Sequence, residues 1–402
     1  MARALLFSIP NPPRRLRLGL ALASALALLP TLAAAQGFQS AAPYAVLLDS
    51  GSGAVLYEKA ADELVAPASM AKIATALVAF EEIAGGKMTL ETEITISENA
   101  WRKGGGVSGG STMFAIVHSR VKLGDILQGM IVQSGNDASI AFAEAVAGTE
   151  DAFARIMTER VRRIGLTKSV FRNATGMADP QQKMTSRDLA LLADHIIRTY
   201  PQHYHYFGQR EFTWNKIRQN NRNPLLAMDI GADGLKTGNI DETGYGLVGS
   251  AVQNERRLVV VVNGLKNARD RGNEARKLLE WGFRSFEQKE LFAAGETVGE
   301  ASVYGGAKGR VALRAKGAIS LLMPRGGSER LSARIVYTGP LTAPVAEGAE
   351  VARLVVRRGE VKTLELPLYA AETVAVGTLR QRAFDALFEM GTGWIRQAFK
   401  RG

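Results

Sequence analysis

The apolar pattern changes period along the chain, and the order of those changes limits the folds open to it. Residues 44–49 and 54–57 are short apolar runs around Ser50-Gly51-Ser52-Gly53, a hairpin signal. Helical periodicity then takes over. Residues 121–147 read as two helices broken at Gln133-Ser134-Gly135-Asn136. Thr149 caps another helix that Gly165 ends, and Thr185-Ser186-Arg187-Asp188 opens the next, running to about Thr199 ahead of Pro201. Strand texture returns at 232–237, 244–252 and 257–263, and a helix over about 274–286 follows. Strands flanking a helical middle predict one α/β domain, not two. After roughly Glu290 the helical pattern stops and short alternating runs recur at 311–315, 318–323, 331–337, 351–356 and 361–366, which predicts a small all-β domain.

The two ends differ from the middle. Arg14, Arg15 and Arg17 precede LGLALASALALLPTLAAA, a positive region followed by an apolar run and small residues. This reads as a secretory signal peptide cleaved after Ala35. A retained anchor is the alternative, but the run is short for a span and Pro30 interrupts it. The last segment, LRQRAFDALFEMGTGWIRQAFKRG (379–402), puts Phe384, Leu387, Phe388, Ile395, Ala398 and Phe399 on one helical face among basic residues. It reads as a helix lying in a membrane interface, with docking on its own protein or on a second copy as the alternative. The expected domains are 1–35 signal peptide, 36–290 α/β domain, 291–376 β-sandwich-like domain and 377–402 amphipathic helix.

Composition narrows the chemistry. The chain has no cysteine, which excludes a thiol nucleophile, a disulfide framework and any cysteine metal site. The formal charge is +11, and since residues 1–35 hold four arginines and no acid, the rest keeps +7. That balance suits an anionic surface such as a membrane or cell-wall polymer. Nucleic acid is not expected, because no binding motif accompanies the charge. The four histidines show no HExxH pattern, so no metal site is expected.

The stretch 65–80, VAPASMAKIATALVAF, places Lys72 on an apolar helix three residues after Ser69, with Met70, Ile73, Leu77 and Phe80 on one side. Side chains three apart face the same way. A lysine among apolar neighbours loses its charge more readily, and a neutral amine beside a hydroxyl can take its proton and make a nucleophile. Bringing a lysine pKa from about 10.4 to roughly 7–8 costs on the order of 4 kcal/mol. Most lysines on such helices instead carry their heads to water, and Ser119-Arg120-Val121-Lys122 repeats the spacing in a polar setting. The pair alone does not decide.

Two further motifs follow in order. Ser134-Gly135-Asn136 offers a hydroxyl and an amide from one tight turn. Lys236-Thr237-Gly238 ends an expected edge strand, where a peptide can add as a strand and a carboxylate can be gripped. SxxK, SGN and KTG together resemble the signature of the serine penicillin-recognising acyltransferases. The segments PASMAKIATALV, GMIVQSGNDASIAFAEAVAG, NKIRQNNRN, DGLKTGN, GYGLVGSA and ARKLLEWGFRSFE are similar to the D-alanyl-D-alanine carboxypeptidases among the low-molecular-mass penicillin-binding proteins, over about residues 40–290. The β domain and terminal helix resemble the membrane-attached branch of that family.

The resemblance implies a penicillin-recognising, β-lactamase/transpeptidase-like domain with an antiparallel sheet and a helical subdomain. It implies a peptidoglycan stem peptide as substrate, β-lactam antibiotics as covalent inhibitors, no cofactor, and a periplasmic location on the outer face of the inner membrane. Carried onto this chain, Ser69 is the nucleophile and Lys72 its base. Ser134 passes a proton to the departing D-alanine, Asn136 holds the substrate amide, and Lys236 keeps the site electropositive. Backbone N–H groups of Ser69 and Asn239 form the oxyanion hole. Thr237 and an arginine, with Arg271 and Arg222 as the positions to consider, are expected at the substrate carboxylate, and Gly238 permits close approach of the substrate backbone. Where relatives carry His or Thr and then Thr after KTG, this chain has Asn239-Ile240, which leaves the deacylation rate open. A class A β-lactamase is the first alternative, but no ExxLN-like segment follows SGN, and Glu159 falls in an ordinary helix. An endopeptidase on the same scaffold and a non-catalytic wall-associated protein are the others.

Overall fold

The computed structural model describes residues 38–326, 331–358, 361–383 and 385–386. The expected signal peptide and nearly all of the terminal amphipathic segment lie outside the described residues. Two compact units are present. One comprises Phe38–Gly51 and Val55–Phe286; the other comprises Ser52–Ala54 and the described residues from Glu287 on.

The first unit is built on a five-stranded antiparallel sheet. Its order is Val55–Lys59, Tyr44–Asp49, Arg256–Leu265, Gly244–Gln253 and Ala232–Ile240. The first strand therefore pairs with one more than two hundred residues later, with Val46 opposite Val261 and Leu48 opposite Val259. Val259–Val262 are all fully buried, as expected of a central strand covered on both faces. Val46, Leu48, Val259 and Val261 face the cluster that includes the helices, and helix Ala268–Ser285 packs against the sheet. The strand Ala232–Ile240 is left at the edge.

Helix Lys72–Ala84 runs through the middle of the helical cluster. The sequence predicts an apolar side at Met70, Ile73, Leu77 and Phe80, but every residue from Lys72 to Phe80 is buried. Ala74, Ala76 and Ala79 are small enough to let neighbouring elements close in on the remaining sides. The break at 133–136 is real: helices Leu123–Ile131 and Asn136–Ala147 flank it. The expected caps form, with Thr149 Oγ1 accepting from Ala152 N at 3.2 Å and Thr185 Oγ1 from Asp188 N at 2.9 Å. The glycine-rich stretch 101–114 is helical at its start, because Ser97 caps a helix Glu98–Gly104. The hairpin Glu211–Trp214 with Ile217–Asn220 was not legible; its turn uses Asn215 and Lys216 at positive φ in place of glycine.

The second unit carries a six-stranded sheet, in the order Leu331–Val336, Glu350–Arg358, Val361–Ala370, Arg310–Arg314, Gly299–Tyr304 and Leu341–Thr342. Its core holds Val303, Val311, Leu313, Leu354, Val356, Leu364 and Leu368. The expected all-β character is observed.

Candidate active site

Ser69 sits in a 3-10 turn, Ala68–Ala71, that runs directly into the helix beginning at Lys72. Residues three apart eclipse in a 3-10 turn, so the SxxK spacing brings the two side chains together. Ala68, just before the serine, has φ +48° without being glycine. Backbone strain of this kind persists only where the surroundings over-determine it. Here they do: Gly238 lies so close that a Cβ on it would come within 3.0 Å of Ala68 Cβ and Pro67 O. The KTG glycine thus lets the edge strand press against the turn that presents Ser69.

The Lys72 amine is fully buried, and it donates to Ser69 Oγ at 3.0 Å, Asn136 Oδ1 at 2.8 Å and Thr175 O at 2.5 Å. Burial, followed by the positive Arg222, pushes its pKa down to about 7, against the opposing pull of Asp137 and Glu150. A neutral amine has two N–H donors and one lone pair. With Asn136 and Thr175 supplying carbonyl acceptors for the two donors, the lone pair faces the serine hydroxyl. That is the geometry of a base poised to take a proton from Ser69.

Asn136 opens its helix, and its backbone N–H donates to Ser111 O at 2.7 Å. Ser134, two residues earlier, is a non-glycine residue at φ +67°. Its buried Oγ has no hydrogen-bond partner among the described residues, so the hydroxyl is free to serve a proton transfer. Lys236 is also buried, and its amine donates to Thr237 O at 3.2 Å. Burial, then Lys72, Arg222 and Arg271, drive its pKa well down. The sequence expectation of a steady positive charge at Lys236 therefore needs an anion beside it to hold the proton. Arg271, on helix Ala268–Ser285, is only 7% exposed and donates to Gly238 O at 3.3 Å. Its Nε has no partner among the described residues, and its guanidinium lies over the Tyr245 ring. Arg222 is exposed and donates to Ser111 Oγ at 2.7 Å, beside the Asn136 contact. None of Lys236, Arg271 and Arg222 forms an ion pair among the described residues, so the cleft gathers basic groups that have no acid of their own.

Residues 31–267 match the family described as D-alanyl-D-alanine carboxypeptidase, and residues 286–376 match the penicillin-binding protein 5 C-terminal domain. The chain belongs to the D-alanyl-D-alanine carboxypeptidase family. It is 38% identical to D-alanyl-D-alanine carboxypeptidase DacC of Escherichia coli (strain K12), over 88% of this chain and 89% of that one. Among solved structures it is similar to penicillin binding protein 5 from Haemophilus influenzae, with TM-score 0.74 and 35% identity, covering 84% of this chain and 98% of that one. It is also similar to penicillin-binding protein D2 from Listeria monocytogenes in its ampicillin-bound form, with TM-score 0.55 and 26% identity, covering 60% and 98%.

Within this carboxypeptidase-family site, sequence reasoning missed two groups. Thr175 contributes only a backbone carbonyl, which no side-chain motif announces. Asp137, fully buried beside Asn136, accepts from Thr112 Oγ1 at 2.7 Å, Met113 N at 2.9 Å and Ala115 N at 3.1 Å. It fastens the end of the glycine-rich stretch to the SGN turn. The available signal was an acid inside the otherwise apolar run DASIAFA. Asn239 is exposed at the end of the edge strand. Glu159, the residue weighed for a β-lactamase, is exposed and paired with Arg163.

Proposed function

We propose that this chain removes the terminal D-alanine from peptidoglycan stem peptides through an acyl-enzyme on Ser69. The observation that carries this reading is the buried Lys72 amine, 3.0 Å from Ser69 Oγ with its pKa lowered to about 7. The Ser69 hydroxyl proton passes to the neutral amine as Oγ attacks the carbonyl between the last two D-alanines. The oxyanion is received by backbone N–H groups of Ser69 and Asn239; loss of one such donor costs roughly 3–4 kcal/mol in enzymes that use it. The C–N bond then breaks, and the leaving amine takes a proton through Ser134. Asn136 holds the substrate amide. Water, giving its proton back through the same base, attacks the ester and frees Ser69.

The departing residue carries a free carboxylate. Thr237, Gly238, Arg271 and Arg222 form its receiving site, and a planar guanidinium suits a carboxylate. The same anion would keep Lys236 protonated. A β-lactam antibiotic would enter the same cleft and acylate Ser69.

The reading extends to the ends of the chain. Residues 1–35 direct export, 36–290 and 291–376 form the working and the β domain, and 377–402 attaches the protein to the outer face of the inner membrane. No helix among the described residues is long and apolar enough to cross a membrane.

Mass spectrometry of the penicillin adduct tests the assignment directly. The label is expected on the peptide containing Ser69, to persist, and to vanish in Ser69→Ala. A stem pentapeptide is expected to release free D-alanine. Rapid penicillin turnover without a lasting adduct would favour a β-lactamase, and cleavage of cross-links without D-alanine release would favour an endopeptidase.

A further inference from the structure

The Thr175 carbonyl that holds Lys72 belongs to none of the three motifs. It comes from Asn173-Ala174-Thr175-Gly176-Met177, between helices Glu150–Arg163 and Ser186–Thr199. Side chains build this turn. Asn173 Oδ1 accepts from Gly176 N at 2.8 Å, Thr175 Oγ1 at 2.9 Å and Thr175 N at 3.2 Å, while Asn173 Nδ2 donates to Met177 O at 3.1 Å. Thr175 Oγ1 also accepts from Met177 N at 3.1 Å.

The turn is gripped from the lysine helix at two successive carbonyls. Thr75 Oγ1 donates to Ala174 O at 2.7 Å, and Lys72 Nζ donates to Thr175 O. Thr75 lies three residues after Lys72, so both side chains leave the helix on the same face. Gly176, at φ +82°, lies against the turn that bears Ser69: a Cβ there would come within 1.8 Å of Ala68 O. One turn therefore touches both the base and the backbone before the nucleophile.

We propose that Asn173 and Thr175 are positioning residues for the Lys72 base, their side chains building the turn that aims the Thr175 carbonyl at the amine. This rests on the reading of Lys72 as the base of Ser69. With the carbonyl held, two N–H groups are occupied and the lone pair stays on the serine. With the turn released, the amine rotates and the lone pair leaves Ser69. The carbonyl also favours the ammonium form, so its loss moves the titration of the base to lower pH. The charged groups acting on the amine are Arg222, Lys236, Asp137 and Glu150; none is substituted in the variants below, and Glu150 Oε1 accepts from Ala174 N of this turn at 3.3 Å.

Thr175→Val keeps the side-chain shape and removes both of its hydrogen bonds; Thr175→Ser keeps the hydroxyl. The experiment measures the second-order rate of Ser69 acylation by a penicillin across the pH range, with thermal unfolding as a check on folding. Thr175→Val is expected to acylate at least about tenfold more slowly, since small misplacements of reacting groups cost up to 10²-fold, and to shift the acid limb to lower pH. Asn173→Ala is expected to do the same, and Thr175→Ser to behave as the unsubstituted protein in both respects. A folded Thr175→Val or Asn173→Ala protein with an unmoved acid limb and an undiminished rate overturns the proposal. So does failure of both to fold, which would make the turn a support of the fold and not of the base. Failure of the underlying Ser69–Lys72 reading looks different: the unsubstituted protein would then form no adduct on Ser69.

Discussion

Lys72 is the residue on which most depends, and burial, followed by Arg222, works against its charge more strongly than Asp137 and Glu150 support it. The unfolded chain holds a proton on this lysine up to about 10.5, whereas the folded one releases it near about 7. Between those values the unfolded state binds more protons, so this group's contribution to stability rises with pH and its burial weighs most heavily below 7. The reactive form is the deprotonated one. Acylation of Ser69 should therefore climb as pH rises through about 7 and fall tenfold per unit on the acid side. Lys72→Arg keeps a cation that cannot deprotonate in this range, and should lower acylation by roughly 10²–10⁴-fold while circular dichroism stays unchanged. Arg271 offers a separate test. Arg271→Leu should reduce kcat/KM about 10–100-fold on a peptide with a free terminal carboxylate, the scale of a lost charge-assisted bond of about 1.5–3 kcal/mol. The matching C-terminal amide should lose little more than it already lacks.

At the scale of elements, the site is a meeting of a 3-10 turn, two helix starts, an edge strand and one irregular turn. Asp137 ties one of the helix starts to residues 112–115. Asp137→Ala would strand the Thr112 hydroxyl and the Met113 and Ala115 N–H groups in the interior. It should cost at least about 3 kcal/mol in denaturant unfolding. Regular elements with strong periodicity were legible: the helices after Thr149 and Thr185 announced their caps, the strands between 232 and 263 their apolar texture, and those after about Glu290 their alternation. SxxK, SGN and KTG were legible because each keeps its side chains within one local element. Thr175 was not, because it acts through a backbone carbonyl 103 residues beyond Lys72 in the chain. Arg271 was reached through family resemblance alone; its burial against Gly238 and Tyr245 depends on how helix Ala268–Ser285 packs on the sheet. The hairpin at 211–220 lacked a signal because Asn215 and Lys216 take the positive φ that glycine would have advertised.

At the scale of the whole molecule, the proposed chemistry falls to the unit made of Phe38–Gly51 with Val55–Phe286, which holds Ser69, Lys72, Ser134, Asn136, Lys236 and Arg271. The proposed membrane attachment lies at the far end of the sequence, where basic residues and a wide apolar face coincide. Removing residues 379–402 should therefore leave turnover of a stem pentapeptide unchanged and abolish sedimentation with anionic lipid vesicles. A truncated protein that still pellets with vesicles after a salt wash would place the attachment elsewhere.

The central claim is that one buried amine is neutral when it meets the serine. Heteronuclear NMR of the Lys72 side chain, titrated alongside the penicillin acylation rate in the same full-length protein, measures this most directly. The amine should titrate at about 7, and the rate should rise over the same interval. An ammonium still charged at about pH 9, close to an ordinary lysine, while Ser69 acylates at full speed would contradict it.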